Sequence, residues 1–217
     1  MNNELMFEPK PNGITTDAEI PSALLAQNPL LPAVVGSKRY NVIYADPAWP
    51  IKWNRSKGIR TKQLDYKTMP IAEMCQLNVK RLANPDGCTL FMWTTNGFLP
   101  EAMALTKVWG FHYEMLFTWC KNNGMGGHPR NATEHMIIAT LGTPQRGHRN
   151  MDMTLNWGCY KLAEHSKKPS EVRRMIERIT EGNRLELFAR QKADGWDIWG
   201  NELENDVELE TSANNGR

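Results

Sequence analysis

The sequence predicts an α/β domain in which a mostly parallel sheet is covered by helices on both faces. Short apolar runs bounded by turn residues alternate along the chain with segments of helical periodicity. Strands and helices that alternate in this way form parallel sheets with helices packed on each side. Several of the apolar runs end in polar residues, as expected at the carboxyl edge of such a sheet, where ligands bind.

The first predicted strand, Tyr40–Ala45, is followed at once by the most informative group of residues. The run Val42-Ile43-Tyr44-Ala45 is continuously apolar, and Asp46-Pro47-Ala48-Trp49 comes directly after it. A carboxylate, a stiff turn and a large aromatic ring are therefore expected together at the ligand-binding end of a buried strand.

These residue types suit chemistry on the exocyclic amine of a nucleobase. Asp46 could accept one amino proton and the carbonyl of Pro47 the other, which would stabilise positive charge developing on the nitrogen. Trp49 could stack on an unpaired base. The alternative is a strand that ends in an Asx-type turn, with Trp49 in the core. The four residues alone leave both interpretations open.

The remaining elements follow from proline positions and periodicity. Proline is expected to begin a helix at Pro70, at Pro100 and at Pro169. The last of these helices has one apolar face that is expected to be buried, formed by Val172, Met175, Ile176 and Ile179. Further buried strands are predicted at Cys88–Trp93, His112–Lys121, Glu134–Thr140 and Leu185–Ala189.

Four segments show no regular periodicity. Residues 50–68, 122–130 and 142–167 are predicted to be loops, and residues 195–201 a turn-rich segment. Basic residues are frequent in the first three, and the third also contains Trp157. Such segments are typical of a surface that meets a polyanion, although solvated loops with scattered lysines would look the same.

The composition bounds the kind of protein. The chain has 217 residues, which is enough for one domain of ordinary size, and its net charge is +2. We expect an N-terminal arm over residues 1–38, a domain over 39–203 and an acidic, disordered tail over 204–217. The start does not resemble a secretory leader, and no run of about 18 apolar residues is present, so a cytoplasmic protein without a membrane partner is expected.

Other ligand classes lack sequence support. The four cysteines (Cys75, Cys88, Cys120 and Cys159) form no CxxC pair and have no histidines at metal-ligand spacing, so no metal site is expected. No GxGxxG or phosphate-binding loop is present, which leaves ordinary dinucleotide and nucleoside triphosphate binding without support.

An ordered series of motifs resembles the MT-A70 family of S-adenosylmethionine-dependent adenine-N6 methyltransferases. The motifs run over roughly residues 40–203 in the family's order: Asp46-Pro47-Ala48-Trp49, Tyr66-Lys67-Thr68-Met69, Leu90-Phe91-Met92-Trp93, Trp109-Gly110-Phe111, Trp119-Cys120-Lys121, Glu134-His135, His165-Ser166-Lys167-Lys168-Pro169, Leu185-Glu186-Leu187-Phe188-Ala189-Arg190 and Gly200-Asn201-Glu202. Ala48 departs from the family pattern, which has a second proline there.

The resemblance implies a Rossmann-like methyltransferase fold with a seven-stranded sheet, and S-adenosylmethionine as cofactor. It implies that Asp46, Pro47 and Trp49 hold the target adenine, that Tyr66 is an aromatic gate near the donor methyl, and that Glu134 supports the acceptor pocket. It also implies a set of cofactor-binding residues: Asp46, Ser166, Lys168, Leu187, Phe188, Arg190, Asn201 and Glu202.

The acceptor polymer is not given by the motifs. We favour DNA, because the chain is compact and carries no accessory RNA-binding domain. Methylation of RNA is the first alternative, and a catalytically silent nucleic-acid-binding subunit is the second. The resemblance also raises the expectation of a homodimer.

Overall fold

The computed structural model describes residues 38–50, 68–125, 129–144, 154–161 and 168–209. Within these residues the chain forms a seven-stranded sheet flanked by helices. The strands are β1 Val42–Ala45, β2 Gly87–Thr95, β3 His112–Met125, β4 Asn131–Gly142, β5 Trp157–Cys159, β6 Arg184–Leu187 and β7 Asp197–Trp199. The α-helices are α1 Ile71–Gln76, α2 Leu99–Val108 and α3 Ser170–Ile179.

The sheet order is β5-β3-β4-β2-β1-β6-β7. Strand β1 pairs in parallel with β2 and β6, and β6 pairs in parallel with β7. Strand β4 is antiparallel to both of its neighbours, β2 and β3, and β5 is parallel to β3. The carboxyl ends of six strands and the amino end of β4 therefore meet at one edge of the sheet, which confirms the predicted fold class.

Two hydrophobic clusters explain why β1 is continuously apolar. Ile43 and Ala45 pack on one face of the sheet, where they join buried residues of α1 and α2. Val42 and Tyr44 pack on the other face with the buried stripe of α3. A strand that is buried on both faces needs apolar residues at successive positions rather than at alternate ones.

Three predicted irregular regions contain regular structure. Strand β3 continues through Asn122 to Met125 and pairs with the start of β4, so the loop predicted at 122–130 is shorter. A Cβ atom on Gly124 would lie 2.8 Å from the Cβ of Arg130, so this glycine permits the close approach of the two strands. Short strands β5 and β7 also lie in regions predicted to lack them, because pairing with a neighbouring strand rather than local propensity forms them.

Part of the segment predicted as an acidic tail contacts the domain. The side chain of Asp206 accepts a hydrogen bond from the Ile198 backbone at 3.0 Å, and Val207 and Leu209 pack against the hydrophobic core. Residues 206–209 therefore contact the folded domain, and disorder of the tail stays a prediction. Residues 210–217 and the predicted arm up to residue 37 lie outside the described residues. Across the parts of the chain that are described, no helix has the length and apolar character needed to cross a membrane.

Candidate active site

Asp46 lies where the sequence predicted it, directly after the central strand β1. Both neighbours of β1 are parallel to it, so the backbone ends of β2 and β6 flank the Asp46 carboxylate. Since β4 runs in the opposite direction, its amino-terminal residue Glu134 reaches the same edge, opposite Thr95 of β2. The fold thereby brings together two carboxylates that are 88 positions apart in the sequence.

A lysine bridges these two carboxylates. The Lys168 Nζ atom lies 2.9 Å from Asp46 Oδ1 and 3.3 Å from Glu134 Oε2. The ammonium of Lys121, within β3, pairs with the other oxygen of Glu134. The four groups form a chain of alternating charge, in the order Lys121, Glu134, Lys168 and Asp46.

This ionic chain is largely shielded from water. The side chains of Lys168, Asp46 and Glu134 are 17%, 24% and 18% exposed. The Lys168 ammonium lies 5.5 Å from the centre of the Trp93 ring, and the Lys121 ammonium lies 4.9 Å from that of Trp119. Charges in such surroundings interact more strongly than charges in water, and aromatic faces stabilise the two cations further.

The balance between burial and pairing sets the protonation states. Burial alone would raise the pKa of Glu134, but the ammonium groups of Lys168 and Lys121 outweigh it and lower that pKa. Burial would lower the pKa of Lys168, but the carboxylates of Asp46 and Glu134 outweigh it and raise that pKa. Glu134 is therefore held as a carboxylate and Lys168 as an ammonium.

Pro47 and Trp49 shape the turn that holds Asp46. The Pro47 carbonyl accepts a hydrogen bond from the Trp49 backbone at 2.8 Å. A carbonyl oxygen has two lone pairs, so it can still accept a second bond from a substrate. The Trp49 ring is only 5% exposed, stacks on Phe98 and donates its N–H to the Trp93 carbonyl at 3.1 Å. In this structure the ring supports the turn from the core, and base stacking on it stays a prediction.

The end of β2 contributes a polar cluster beside the site. The Asn96 amide nitrogen donates to Asn131 Oδ1 at 2.7 Å and to Thr133 Oγ1 at 3.0 Å. The Asn96 carbonyl oxygen lies 3.0 Å from His135 Nε2. These bonds attach the end of β2 to the start of β4, and they thereby fix the position of Glu134, the residue before His135.

The ends of β6 and β7 form a cradle next to Asp46. Phe188 follows β6 with φ = 61°, a left-handed conformation that is strained for an aromatic residue and typical of ligand-binding turns. Its ring packs edge-to-face on Trp199, with centroids 5.5 Å apart. A Cβ atom on Gly200 would lie 2.2 Å from the Ala189 carbonyl oxygen, so only glycine fits there.

The other residues implied by the resemblance fall into two groups. Leu187 is buried at the end of β6, whereas Arg190, Asn201 and Glu202 are exposed beside the cradle. Tyr66 and Ser166 lie outside the described residues. The structure thus brings Asp46 and Lys168 into contact and places the β6 and β7 residues on the adjacent strand ends.

The chemistry of these residues fits S-adenosylmethionine. Asp46 and Glu134 could pair with a cation, and Lys168 and Arg190 with a carboxylate. Asn201 and Glu202 could accept hydrogen bonds from a ribose diol, and all of these roles stay predictions. The strained backbone at Phe188 is typical of ligand-binding turns, and glycine at position 200 permits the close approach of the ends of β6 and β7.

Two further groups near the site were not predicted. The motif Trp119-Cys120-Lys121 assigns no role to Lys121. Its pairing with Glu134 depends on the antiparallel register of β3 and β4. Arg173 of α3 pairs with the buried Glu186 of β6 at 2.6 Å and lies 5.5 Å from the Tyr44 ring centre. An acidic residue inside the apolar run Leu185–Leu187 is the signal that could have revealed this second pair.

Comparison with known proteins agrees with this geometry. Residues 40–202 match the MT-A70 family. The chain is 34% identical over 200 residues to the Type II methyltransferase M.MunI of Mycoplasma sp, covering 80% of this chain and 82% of that protein. It is 33% identical over 177 residues to a Medicago truncatula protein named N(6)-adenosine-methyltransferase MT-A70-like, covering 76% and 26% of the two chains.

A human relative is more distant. The chain is 26% identical over 226 aligned positions to the N(6)-adenine-specific methyltransferase METTL4, covering 94% of this chain and 44% of that protein. The chain therefore belongs to the MT-A70 family, a family of S-adenosylmethionine-dependent adenine-N6 methyltransferases.

Proposed function

We propose that this protein transfers the methyl group of S-adenosylmethionine to the N6 amino nitrogen of adenine in DNA. The observation that carries the proposal is the half-buried Asp46 carboxylate at the end of the central strand, one oxygen of which already binds an ammonium nitrogen at 2.9 Å. An amino group approaching the same carboxylate would make an equivalent N–H···O hydrogen bond.

Asp46 and Pro47 are proposed to prepare the amine for attack. The N6 lone pair is delocalised into the adenine ring, so hydrogen bonds to both amino protons favour a more tetrahedral and more nucleophilic nitrogen. S-adenosylmethionine, when bound, supplies a methyl carbon on a positively charged sulfur. The new C–N bond forms as the C–S bond breaks. N6 then loses one proton, and we propose Asp46 as its acceptor.

Lys168 is proposed to be displaced from Asp46 when the acceptor binds. Its ammonium occupies one of the two Asp46 carboxylate oxygens, Oδ1, and Glu134 Oε2 lies 3.3 Å away on its other side. Movement towards Glu134, or towards a ligand carboxylate, would free Asp46 without leaving a buried lysine unpaired.

DNA is proposed as the acceptor over RNA. The relative that is matched over most of both chains is named a Type II methyltransferase, and this name supports the choice of DNA. An adenine in a duplex must leave the base stack to reach Asp46. The test is side-by-side labelling of adenine-unmethylated genomic DNA and of total RNA with a radioactive methyl donor. Label that enters RNA but not DNA would overturn this choice.

Substitution of Asp46 tests the mechanism. We expect Asp46→Asn to lower methyl transfer by at least about 10²–10³-fold, because the amide lacks the negative charge that stabilises the reacting nitrogen. Asp86→Asn, which changes an exposed carboxylate after the turn that precedes β2, is the matched control and should retain full activity. Normal turnover by Asp46→Asn, with an unchanged melting temperature, would refute the role of Asp46.

The expected homodimer and the expected cytoplasmic location are further proposals that follow from the resemblance and the sequence. Sedimentation equilibrium of the purified protein and fractionation of the cells that produce it test the two separately. A monomer that methylates DNA would remove the first proposal and leave the proposed activity in place.

A further inference from the structure

A surface groove lies between the β5 segment and α3. It has a volume of about 400 Å³ and is lined on one side by Thr154, Leu155, Trp157 and Tyr160 and on the other by one side of α3. This volume falls in the range of about 300–1,000 Å³ that is typical of ligand pockets. None of the residues assigned above to the methyl-transfer site lines this groove.

The β5 wall of the groove presents unusually exposed apolar side chains. Trp157 is 52% exposed and Leu155 is 61% exposed, while Met175 of α3 lies buried at the base. An exposed tryptophan beside a concave surface is a common platform for stacking an unpaired base, because every base offers a π-face.

The α3 wall presents cations. Arg174 and Arg178 are four residues apart and thus about 6 Å apart along the helix axis. The Arg178 guanidinium contacts Thr154 Oγ1 at 3.4 Å. Arg174 is 68% exposed and lies 3.6 Å from the Glu171 carboxylate, which also lines the groove. These contacts are at the long end of the range for polar interactions. Because each guanidinium has five N–H donors, both arginines can still donate hydrogen bonds to a phosphate.

Both walls of the groove are joined in sequence to residues of the proposed site of methyl transfer. Helix α3 begins at Ser170, two residues after Lys168, which contacts Asp46. Strand β5 pairs with Thr118–Cys120 of β3, and the next residue of β3 is Lys121, which pairs with Glu134. A polymer whose reacting base lies at Asp46 can therefore continue into the groove.

We propose that this groove, defined by Leu155, Trp157, Arg174 and Arg178, binds the DNA strand next to the target adenine. One flanking base stacks on Trp157, and the two arginines contact the phosphates beside it. This proposal rests on the proposed function, because it takes DNA as the substrate. The pairing of an exposed aromatic ring with two cations one helical turn apart favours a nucleic acid strand over an apolar protein segment.

The test compares DNA binding by three variants of the full chain. Arg174→Gln/Arg178→Gln removes the two cations, Trp157→Ala removes the ring, and Trp157→Phe keeps an aromatic face. Lys107→Gln, on the exposed side of α2, is the matched control for loss of a surface charge. Fluorescence anisotropy measures the affinity for two mixed-sequence DNA strands. One strand is longer and one is shorter than the site of roughly 4–16 nucleotides that single-strand-binding OB folds cover.

We expect the double arginine variant to bind the longer strand about tenfold more weakly or worse, and its slope of log affinity against log salt to fall by about two. Trp157→Ala should weaken binding about tenfold, and Trp157→Phe should retain most of the affinity. The affinity for the shorter strand, the affinity for the methyl donor and the melting temperature should change little in these variants. Lys107→Gln should match the wild type.

Three results would overturn the proposal. The first is wild-type affinity and salt dependence in both the tryptophan and the arginine variants. The second is an equal loss for long and short strands, which would indicate damage to the fold. The third is normal DNA binding with loss of self-association, which would make the groove a protein interface. If the wild type methylates no DNA, the proposed function fails, whatever the variants do to DNA binding. If the wild type methylates DNA but the variants bind it normally, only the groove proposal fails, so the two failures are distinguishable.

Discussion

At the scale of single residues, Glu134 couples the ionic chain of the site to pH. Its pKa is lowered in the folded protein because two ammonium groups outweigh the effect of burial. A carboxyl group with a depressed folded pKa adds stability above its unfolded pKa of about 4.3, and that contribution is lost as pH falls through the folded value. The loss therefore begins at about pH 4.3 and continues below it.

We expect Glu134→Gln to reduce this acid sensitivity. Urea unfolding at neutral pH and at about pH 3.5 should show a smaller difference in unfolding free energy for the variant than for the wild type. Glu73→Gln, on the exposed side of α1, is the control and should keep the wild-type difference. An equal pH dependence in the wild type and Glu134→Gln would contradict the ion pairs with Lys168 and Lys121.

Arg173 and Glu186 form a second residue-scale prediction. Their side chains are largely buried and lie 2.6 Å apart, so Arg173→Ala would leave a carboxylate buried without its partner. We expect a loss of about 3–5 kcal/mol in the free energy of unfolding. Arg174→Ala, at the next and exposed position of α3, should change it by less than about 0.5 kcal/mol.

A double variant separates the ion pair from simple loss of packing. Arg173→Met/Glu186→Leu replaces both charges with apolar groups of similar size and should recover most of the stability, as is common for buried pairs. If the double variant is no more stable than Arg173→Ala, the unpaired carboxylate is not the cause of the loss.

At the scale of elements, the ends of β6 and β7 form the cradle proposed for the methyl donor. Gly200→Ala places a Cβ atom 2.2 Å from the Ala189 carbonyl oxygen and must separate the two strand ends. We expect a loss of stability of about 1–3 kcal/mol together with weaker donor binding. Gly97→Ala is the control, since its nearest neighbour would be 4.0 Å away.

Isothermal titration with S-adenosylmethionine and thermal unfolding measure the two effects. Because Asn201 and Glu202 follow Gly200 directly, a displaced β7 end should weaken donor binding even when the protein remains folded at the assay temperature. Wild-type donor affinity in Gly200→Ala would place the donor away from this cradle.

At the scale of the whole molecule, residues after β7 close the domain. The Asn205 side chain accepts a hydrogen bond from the Gly200 backbone at 2.7 Å, Asp206 accepts one from Ile198, and Val207 and Leu209 pack on the core. These contacts hold the edge strand β7 from its outer side.

We expect truncation to distinguish this segment from the rest of the tail. A chain ending at Leu203 should melt about 5 °C below a chain ending at Leu209, since three hydrogen bonds and two apolar contacts are lost between them. The chain ending at Leu209 serves as the control for shortening itself. Equal melting temperatures would show that residues 204–209 do not stabilise the domain.

The local pattern was sufficient for the main elements and for Asp46. Strand β1, four further strands and the helices that begin near Pro70, Pro100 and Pro169 were predicted, because proline, glycine and hydrophobic periodicity act over a few residues. The number of seven strands came only from the resemblance. The motif order was sufficient for the family, since it depends only on which residues occur and in what sequence.

Strands β5 and β7 and the contacts of the ionic chain could not be predicted in the same way. Neither strand has a strong propensity of its own, and each forms because a neighbouring strand offers backbone partners. The ion pairs of Lys168 with Asp46 and Glu134 join residues from distant parts of the chain, and the antiparallel direction of β4 brings them to one edge. Short-range preferences therefore placed Asp46 at the end of β1, whereas long-range strand pairing selected its partners.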